Sequence, residues 1–230
     1  MADPLPPDRL AELRLYSSPT IANAIETFNV RPRTAGFMSS QIRCIFPELG
    51  TMVGYAFTAT IRASAPPPPA AAALRPASWR ALEELPAPRI VVIQDLDDPP
   101  GVGAFWGDVQ SNIHRALGCV GTVTNGSVRD LDEVRALGFH FFAGSVSVSH
   151  AYVHLVEIGG VVQVGGLTVR PGDLLHGDPH GIVSIPLEIA GRISEGVEKV
   201  DRVERQLINY CQAPGFSRQG FEELHRKLRG

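Results

Sequence analysis

The feature that most constrains the fold is an alternation of strand and helix patterns between residues 89 and 138. Residues 89–95 form an apolar, β-branched run that ends in an acid, as strands of α/β sheets often do at their functional edge. The following residues predict a helix over 108–117, a strand over 118–124, a turn over 125–127 and a helix over 128–137 that Gly138 closes. This part of the chain is therefore predicted to be α/β.

The segment before this alternation is predicted to be helical and then extended. Residues 8–28 give two helices, separated by a break in which Ser17-Ser18-Pro19-Thr20 supplies capping hydroxyls and a first-turn proline. Residues 50–61 are rich in β-branched and aromatic side chains and predict a strand. The prolines at 66–69 predict a stiff surface loop over 63–73, with recruitment of an SH3-type partner as the alternative.

The segment after the alternation changes to short strands separated by glycine turns. Predicted strands include 145–154 and 159–164, and a long helix with regular apolar spacing is predicted over 187–210. The chain is predicted as a single domain over 1–230, made of a core over 1–186 and a helical tail over 187–230.

Charge and composition exclude several classes of protein. The formal net charge is -3, so there is no basic excess to neutralise the phosphates of a nucleic acid. Three cysteines that lie far apart indicate neither a disulfide framework nor a zinc knuckle. The first residues lack the pattern of a signal peptide, and no apolar stretch approaches the roughly 18 residues of a membrane span. We expect a cytoplasmic protein that binds neither nucleic acid nor membrane.

The residues that carry chemistry are predicted at the start of one helix and of the next. Gly107 precedes the helix that begins at Asp108, and a helix start can hold a carboxylate on its unpaired amides. Arg129 can grip the same anion with two hydrogen bonds, and Asp130 offers hard oxygen to Mg²⁺ or Mn²⁺. Together they could hold a 2-oxo acid and stabilise its enolate. In the alternative interpretation, Asp130 only caps its own helix.

The spacing of these residues resembles a known family. Asp108, twenty intervening residues and then Arg129-Asp130 are similar to the D-x20-R-D signature of the RraA-like superfamily. That superfamily includes class II 4-hydroxy-4-methyl-2-oxoglutarate aldolases, the regulator of ribonuclease activity A, and proteins mislabelled as demethylmenaquinone methyltransferases. The late turns Pro171-Gly172-Asp173 and Asp178-Pro179-His180-Gly181 also resemble the family. The resemblance implies an α/β/β layered sandwich, similar to a swivelling β/β/α domain, with a long C-terminal helix.

The resemblance also implies a role for each matching residue. Backbone amides of Gly107, Asp108, Val109 and Gln110 would bind the substrate carboxylate, and Arg129 would contact its carboxyl and keto oxygens. Asp130 would hold Mg²⁺ or Mn²⁺, largely through water, and Asp108 would orient a water that moves the proton. A further carboxylate, placed at Glu204, would come from a neighbouring subunit of a homotrimer or homohexamer. A solvated helix face is the alternative for Glu204.

The function implied is a metal-dependent lyase that releases pyruvate from 4-hydroxy-4-methyl-2-oxoglutarate-type substrates, with oxaloacetate decarboxylation as a related activity. Asn125 and Asn23 stand where the family often has Asp, and Gln110 stands at an often apolar position, where its side chain could reshape the pocket. One alternative is a non-catalytic protein that binds and inhibits ribonuclease E-type partners. A methyltransferase is a third, weakened because Gly101-Val102-Gly103 lacks the dinucleotide-loop spacing.

Two pairs of histidines spaced four residues apart are weaker signals. His150 and His154, and likewise His176 and His180, would suit zinc if they lay on helices. Their glycine-rich, β-branched surroundings favour surface or packing histidines, with His150 placed near a pocket as an open alternative.

Overall fold

The computed structural model describes residues 4–229, so Met1–Asp3 and Gly230, the ends of the predicted single domain, lie outside the described residues. The α-helices of the described chain are α1 (Pro7–Leu13), α2 (Ser18–Glu26), α3 (Leu74–Glu83), α4 (Asp108–Ala116), α5 (Leu131–Leu137), α6 (Leu187–Ala190), α7 (Ile193–Gln212) and α8 (Arg218–Arg229). Its strands are β1 (Arg43–Cys44), β2 (Met52–Arg62), β3 (Arg89–Asp95), β4 (Cys119–Val128), β5 (His140–Val146), β6 (His154–Ile158), β7 (Val162–Val164), β8 (Leu167–Val169), β9 (Leu174–Asp178) and β10 (Gly181–Ile185).

Strand β2 organises a mixed sheet of eight strands. Strands β2, β3, β4 and β5 pair in parallel, in that spatial order, as strands connected through helices do. On its other side β2 pairs antiparallel with β9 through Met52–Tyr55 and with β6 through Ala59–Arg62. The first ten residues of β2 are buried, which explains its almost continuous apolar sequence.

The two faces of this sheet are covered by different layers. The face that carries Phe57, Val91 and Phe141 packs with side chains from the segments of α3 and α5. The opposite face carries Met52, Ile90, Val123 and Leu175 in one cluster with Val162–Val169 of the β7–β8 hairpin. Helices, sheet and hairpin therefore form the predicted α/β/β layers, and the sheet is nearly closed.

The N-terminal helices and the tail share a third apolar cluster. Side chains of α1 and α2, including Leu13 and Ile21, pack against Val183 and Ile185 of β10 and against Ile193 of α7. The tail helices therefore attach on the α2 side, away from the cluster around α5. None of the helices in residues 4–229 combines the length and apolar character needed to cross a membrane.

The predicted turn over 125–127 is wrong. β4 continues to Val128, with a register irregularity against β5 between Thr124 and Ser127. Asn-Gly normally favours a turn, but here the pairs Ser127–Ser145 and Val128–Val146 extend the ladder. The helix predicted over 128–137 consequently begins only at Leu131, and Arg129 and Asp130 form the connection.

Three further boundaries differ from the prediction. The strand predicted over 145–154 is divided, because β5 ends at Val146 and β6 begins at His154. The strand predicted over 159–164 is limited to β7. The helix predicted over 187–210 is interrupted at Gly191-Arg192, so that α6 and α7 are separate helices.

Candidate functional site

The candidate site lies where the start of α4 meets the end of β4. Trp106 forms a parallel bridge with Val128, and the Arg129 N–H donates to the Trp106 carbonyl at 3.0 Å. These contacts place Gly107, the residue before α4, beside the connection that follows β4. Two segments far apart in sequence are thus joined by backbone pairing.

Asp130 caps α4 rather than its own helix. Its Oδ2 accepts a hydrogen bond from the Asp108 N–H at 2.9 Å, whereas its side chain makes no capping bond to α5. The first amides of a helix lack intrahelical acceptors, so a carboxylate there satisfies a donor and interacts favourably with the helix dipole. A Cβ atom on Gly107 would collide with the same Oδ2, and glycine therefore allows this approach.

The backbone of Asp130 has φ 54° and ψ 50°, in the left-handed region. Residues other than glycine seldom adopt this conformation, and Asp is among those that tolerate it best. The chain changes direction at this residue between β4 and α5. The Arg129 Nε lies 3.8 Å from Asp130 Oδ2, so a cation and an anion lie side by side at the turn.

A cavity of about 330 Å³ opens at this corner. Five of the residues predicted from the sequence line it: Gly107, Val109, Gln110, Arg129 and Asp130. The volume is at the lower end of the range for small-molecule sites, which suits a ligand of a few carbon atoms. Asp108 is half-buried and does not line the cavity; its Oδ1 accepts a hydrogen bond from Asn112 Nδ2 at 2.8 Å.

Two of the polar side chains that line the cavity, Arg75 and His150, come from segments that the sequence does not predict to form the site. Arg75 lies on α3, directly after the proline-rich segment, and its guanidinium carbon is 5.5 Å from the centre of the Phe105 ring. His150 lies in the loop between β5 and β6 and lines the cavity, which agrees with the alternative that places it near a pocket. Arg75 and Arg129 give the cavity two cationic side chains, which favours an anionic ligand.

Aromatic side chains pack against the inner face of α4 and keep the buried His114 neutral. His114 is buried against the Trp106 ring, with 4.7 Å between ring centres. Burial lowers the pKa of His114 to about 4, although its hydrogen bond to the Gln110 carbonyl opposes the shift. Because a carbonyl only accepts, the Nδ1 atom of His114 carries the proton and donates. Trp106 is fully buried, so Phe105 rather than Trp106 lines the cavity.

Asn125 on β4 connects this strand to β3 through two side-chain hydrogen bonds. Its Oδ1 accepts from the Asp95 N–H at 2.7 Å, and its Nδ2 donates to the Asp95 carbonyl at 2.9 Å. The Asp95 carboxylate accepts from the N–H groups of Asp97 and Gly101, which shapes the following loop. Burial raises the pKa of Asp95, and these N–H donors oppose the shift. An amide at position 125 therefore has a structural use that a carboxylate could not fulfil.

The donor set at the cavity fits a hydrated hard cation. The Asp130 side chain is 31% exposed, and one of its oxygens is bound to the Asp108 N–H. Within residues 4–229 no group of three or more His, Cys, Asp or Glu side chains is arranged to hold a metal. A single carboxylate agrees with Mg²⁺, which keeps several waters and needs few protein ligands.

Glu204 lies apart from these residues within the chain. It is exposed on α7, which packs against α2, and it does not line the cavity. Its proposed contribution from a neighbouring subunit stays a prediction.

The histidine pairs do not lie on helices. His176 is buried in β9, where Ser18 Oγ lies 2.9 Å from its Nδ1, and its Nε2 contacts the carbonyls of Leu13 and Tyr16. This is a packing histidine, as expected. His180 is exposed, and its N–H donates to Asp178.

Comparison with known proteins gives one family for most of the chain. The RraA-like family model, described as Aldolase/RraA, matches residues 19–184. A protein of Halalkalibacterium halodurans named "Putative 4-hydroxy-4-methyl-2-oxoglutarate aldolase" is 33% identical over 84 residues, which cover 36% of this chain and 40% of that protein. The matches span half or less of the length of the curated relatives.

Solved structures agree over nearly the whole chain. An uncharacterized protein from Pseudomonas syringae pv. tomato superposes with a TM-score of 0.73 at 22% identity, covering 98% of this chain and 96% of that one. Streptomyces coelicolor RraAS2, described as an unusual member of the RNase ES inhibitor RraA protein family, gives 0.69 at 21% identity, covering 89% and 98%. At these identities the structures establish the fold.

Proposed function

Because the chain belongs to the RraA-like (Aldolase/RraA) family, we propose that it is a divalent-metal-dependent lyase that cleaves a small 2-oxo acid and releases pyruvate. The observation that carries the proposal is the cavity at the start of α4, where Arg129, Asp130 and the amides after Gly107 meet. The relative named as an aldolase supports the same class of reaction.

Arg129 and the start of α4 would bind the oxo acid. The guanidinium of Arg129 can donate to the carboxylate and to the keto oxygen. The predicted role of the Asp108 amide is taken by its bond to Asp130 Oδ2, which leaves the amides of Val109 and Gln110, in the first turn of α4, to donate to the anion. Arg75 adds a second positive charge in the same cavity. This arrangement fixes the C1 and C2 end of the substrate.

Bond cleavage would follow from that orientation. When the C3–C4 bond of a 4-hydroxy-2-oxo acid breaks, the C4 hydroxyl loses its proton and becomes a carbonyl. The electron pair passes from C3 to the C2 oxygen as an enolate, whose charge Arg129 stabilises. Protonation of C3 then yields pyruvate. Oxaloacetate gives the same enolate by loss of CO₂, so one site would serve both reactions.

Asp130 would hold the divalent cation, and Asp108 would move the proton through a water. Bound Mg²⁺ or Mn²⁺ would supply additional positive charge for the enolate oxygen. Asp108 is tied to Asn112 and lies just outside the cavity lining, which fits an indirect role. Glu204 of a neighbouring subunit would complete the site in a homotrimer or homohexamer.

The test is pyruvate release from 4-hydroxy-4-methyl-2-oxoglutarate and from oxaloacetate, with Mg²⁺ or Mn²⁺ and then with EDTA. A blank with metal and no protein corrects for spontaneous decarboxylation. We expect metal-dependent release that Arg129→Gln lowers by roughly 100-fold or more, the typical loss for one donor to a developing oxyanion. The exposed Arg80→Gln is the matched control and should keep full activity.

Two results would contradict the proposal in different ways. An unchanged rate in Arg129→Gln would remove this residue from the mechanism. Absence of pyruvate from both substrates, with Mn²⁺ binding demonstrated, would exclude the lyase activity on these acids. A pull-down with a ribonuclease E-type partner would then test the regulatory alternative.

A further inference from the structure

A second cavity lies beside the first, between the proline-rich segment and the start of β6. It measures about 440 Å³ and shares the lining residues Arg75 and Val153 with the cavity at α4. The two spaces are therefore adjacent. Arg75 and Val153 border both spaces, so a ligand with its carboxylate at Arg129 would pass Arg75 to reach the second space.

The second cavity is mostly apolar. Apart from Arg75 and His154, its lining consists of proline and aliphatic side chains, among them Pro67, Pro69, Ala72 and Leu155. Such a surface favours an alkyl or aryl group, because burying apolar area releases ordered water and no polar partner is lost. The first cavity is more polar, because two arginines and Asp130 line it.

The wall of the second cavity is held in place before any ligand binds. At its start, the N–H groups of Ala63 and Ser64 donate to Asp97 Oδ2 at 2.7 and 2.9 Å, and Ser64 Oγ donates to Oδ1 at 2.7 Å. At its end, Pro69–Ala73 forms a 3₁₀ turn that leads directly into α3. Proline residues have fixed φ angles, so little further ordering is needed on binding.

We propose that this second cavity is a specificity subsite that binds an apolar substituent at the distal end of the 2-oxo acid. The inference rests on the proposed function, because the acid end of the ligand must be held at Arg129. It assigns the substrate class as a 2-oxo acid with an alkyl or aryl group beyond C3. The proline-rich loop over 63–73 then determines substrate choice.

Calorimetric binding to the intact protein with Mg²⁺ tests the proposal without depending on turnover. The probes are 2-oxobutanoate, 2-oxo-4-phenylbutanoate and 2-oxoglutarate. We expect the phenyl acid to bind about tenfold or more tightly than 2-oxobutanoate, because even one methylene in an apolar pocket can be worth that factor. Ala72→Phe, which fills the subsite, should remove this gain and leave 2-oxobutanoate binding unchanged.

The matched control is Ala70→Phe, which adds the same ring to an exposed position of the same segment outside both linings. It should bind all probes as the unmodified protein does. Equal affinity for the phenyl acid and 2-oxobutanoate would overturn the subsite while the proposed function stands. Tighter binding of 2-oxoglutarate than of the phenyl acid would show an anionic subsite and overturn its apolar assignment. If no oxo acid binds, the anion site at Arg129 is wrong and both proposals fail.

Discussion

At the scale of single residues, the site depends on side chains that approach backbone closely. Gly107 has an extended backbone, with φ -160°, that any residue could adopt, so its importance is steric rather than conformational. A methyl group here would displace the Asp130 carboxylate from the Asp108 N–H. The same contact aligns Asp130 with the cavity.

The substitution Gly107→Ala should therefore lower both the stability of the fold and the affinity for metal. We expect the free energy of unfolding to fall by about 1–3 kcal/mol through loss of the cap and local strain, and Mn²⁺ affinity to fall with it. Urea unfolding and a Mn²⁺ titration would measure both. Gly215→Ala is the control, since a Cβ there meets no atom within 4 Å. Unchanged Mn²⁺ affinity in Gly107→Ala would contradict a metal role for Asp130.

The sequence identified the residues of this corner but not their partners. The spacing of Asp108 and Arg129-Asp130 matches a known pattern, and five of the residues predicted from it line one cavity. Arg75 and His150 were not assigned to it, since α3 and the loop after β5 reach the cavity only through the packing of the sheet. The use of Asn125 was also hidden, because its amide bonds to Asp95, thirty residues earlier.

At the scale of elements, a polar cluster joins the start of α2 to the end of β9. Asp178 Oδ2 accepts from the Ser18 N–H at 2.8 Å, and Oδ1 accepts from the His180 N–H at 2.8 Å. Burial alone would raise the pKa of Asp178, but these donors outweigh it and hold the pKa below its usual range. The charged carboxylate thus stabilises the fold.

Replacing Asp178→Asn should reduce the free energy of unfolding by about 1–3 kcal/mol at pH 7, since a buried donor loses a charged acceptor. The pKa of Asp178 is lower in the folded state, so its contribution is present above the unfolded value of about 4 and is lost as the pH falls through the folded value. The deficit of the variant should therefore shrink below about pH 4. Urea unfolding from pH 3 to 7 would measure this.

The exposed Asp98→Asn is the control for that series and should show no such pH-dependent deficit. A deficit of Asp178→Asn that stays constant down to pH 3 would contradict the electrostatic explanation.

Element boundaries show where local sequence reasoning reaches its limit. Strand β3 was predicted correctly from its apolar run, as was the helical start at Asp108. The turn at Asn125-Gly126 was not, because pairing with β5 and the bond to Asp95 favour continuing the strand over a local turn preference. The long C-terminal helix was predicted without its break, although Gly191 lies at that point.

At the scale of the whole molecule, the prediction concerns assembly. If Glu204 acts in a neighbouring subunit, Arg129→Gln and Glu204→Gln chains should each be inactive alone. Mixed assemblies, formed by co-refolding, should regain a measurable fraction of activity, because some sites then receive Arg129 from one chain and Glu204 from the other. Pyruvate release from the mixture measures this, with sedimentation to establish the trimer or hexamer.

Glu198→Gln, an exposed change on the same helix, is the matched control and should be fully active. If Glu204→Gln alone keeps full activity, Glu204 has no part in the reaction. If both single variants are inactive but their mixture stays inactive in a demonstrated mixed assembly, the site lies within one chain.

The capping contact of Asp130 also affects how divergent relatives should be interpreted. Its carboxylate caps α4, so a descendant that had abandoned catalysis would still face selection to keep it for folding. Retention of this aspartate in a relative would then be weak evidence that the relative is an enzyme. The side chain of Arg129 is 37% exposed, and the contact that stabilises the fold at this corner is made by its backbone N–H. Once turnover is lost, another side chain can therefore replace arginine at this position. A relative that has lost the arginine but kept the aspartate would be expected to descend from an enzyme and to have lost its catalytic activity.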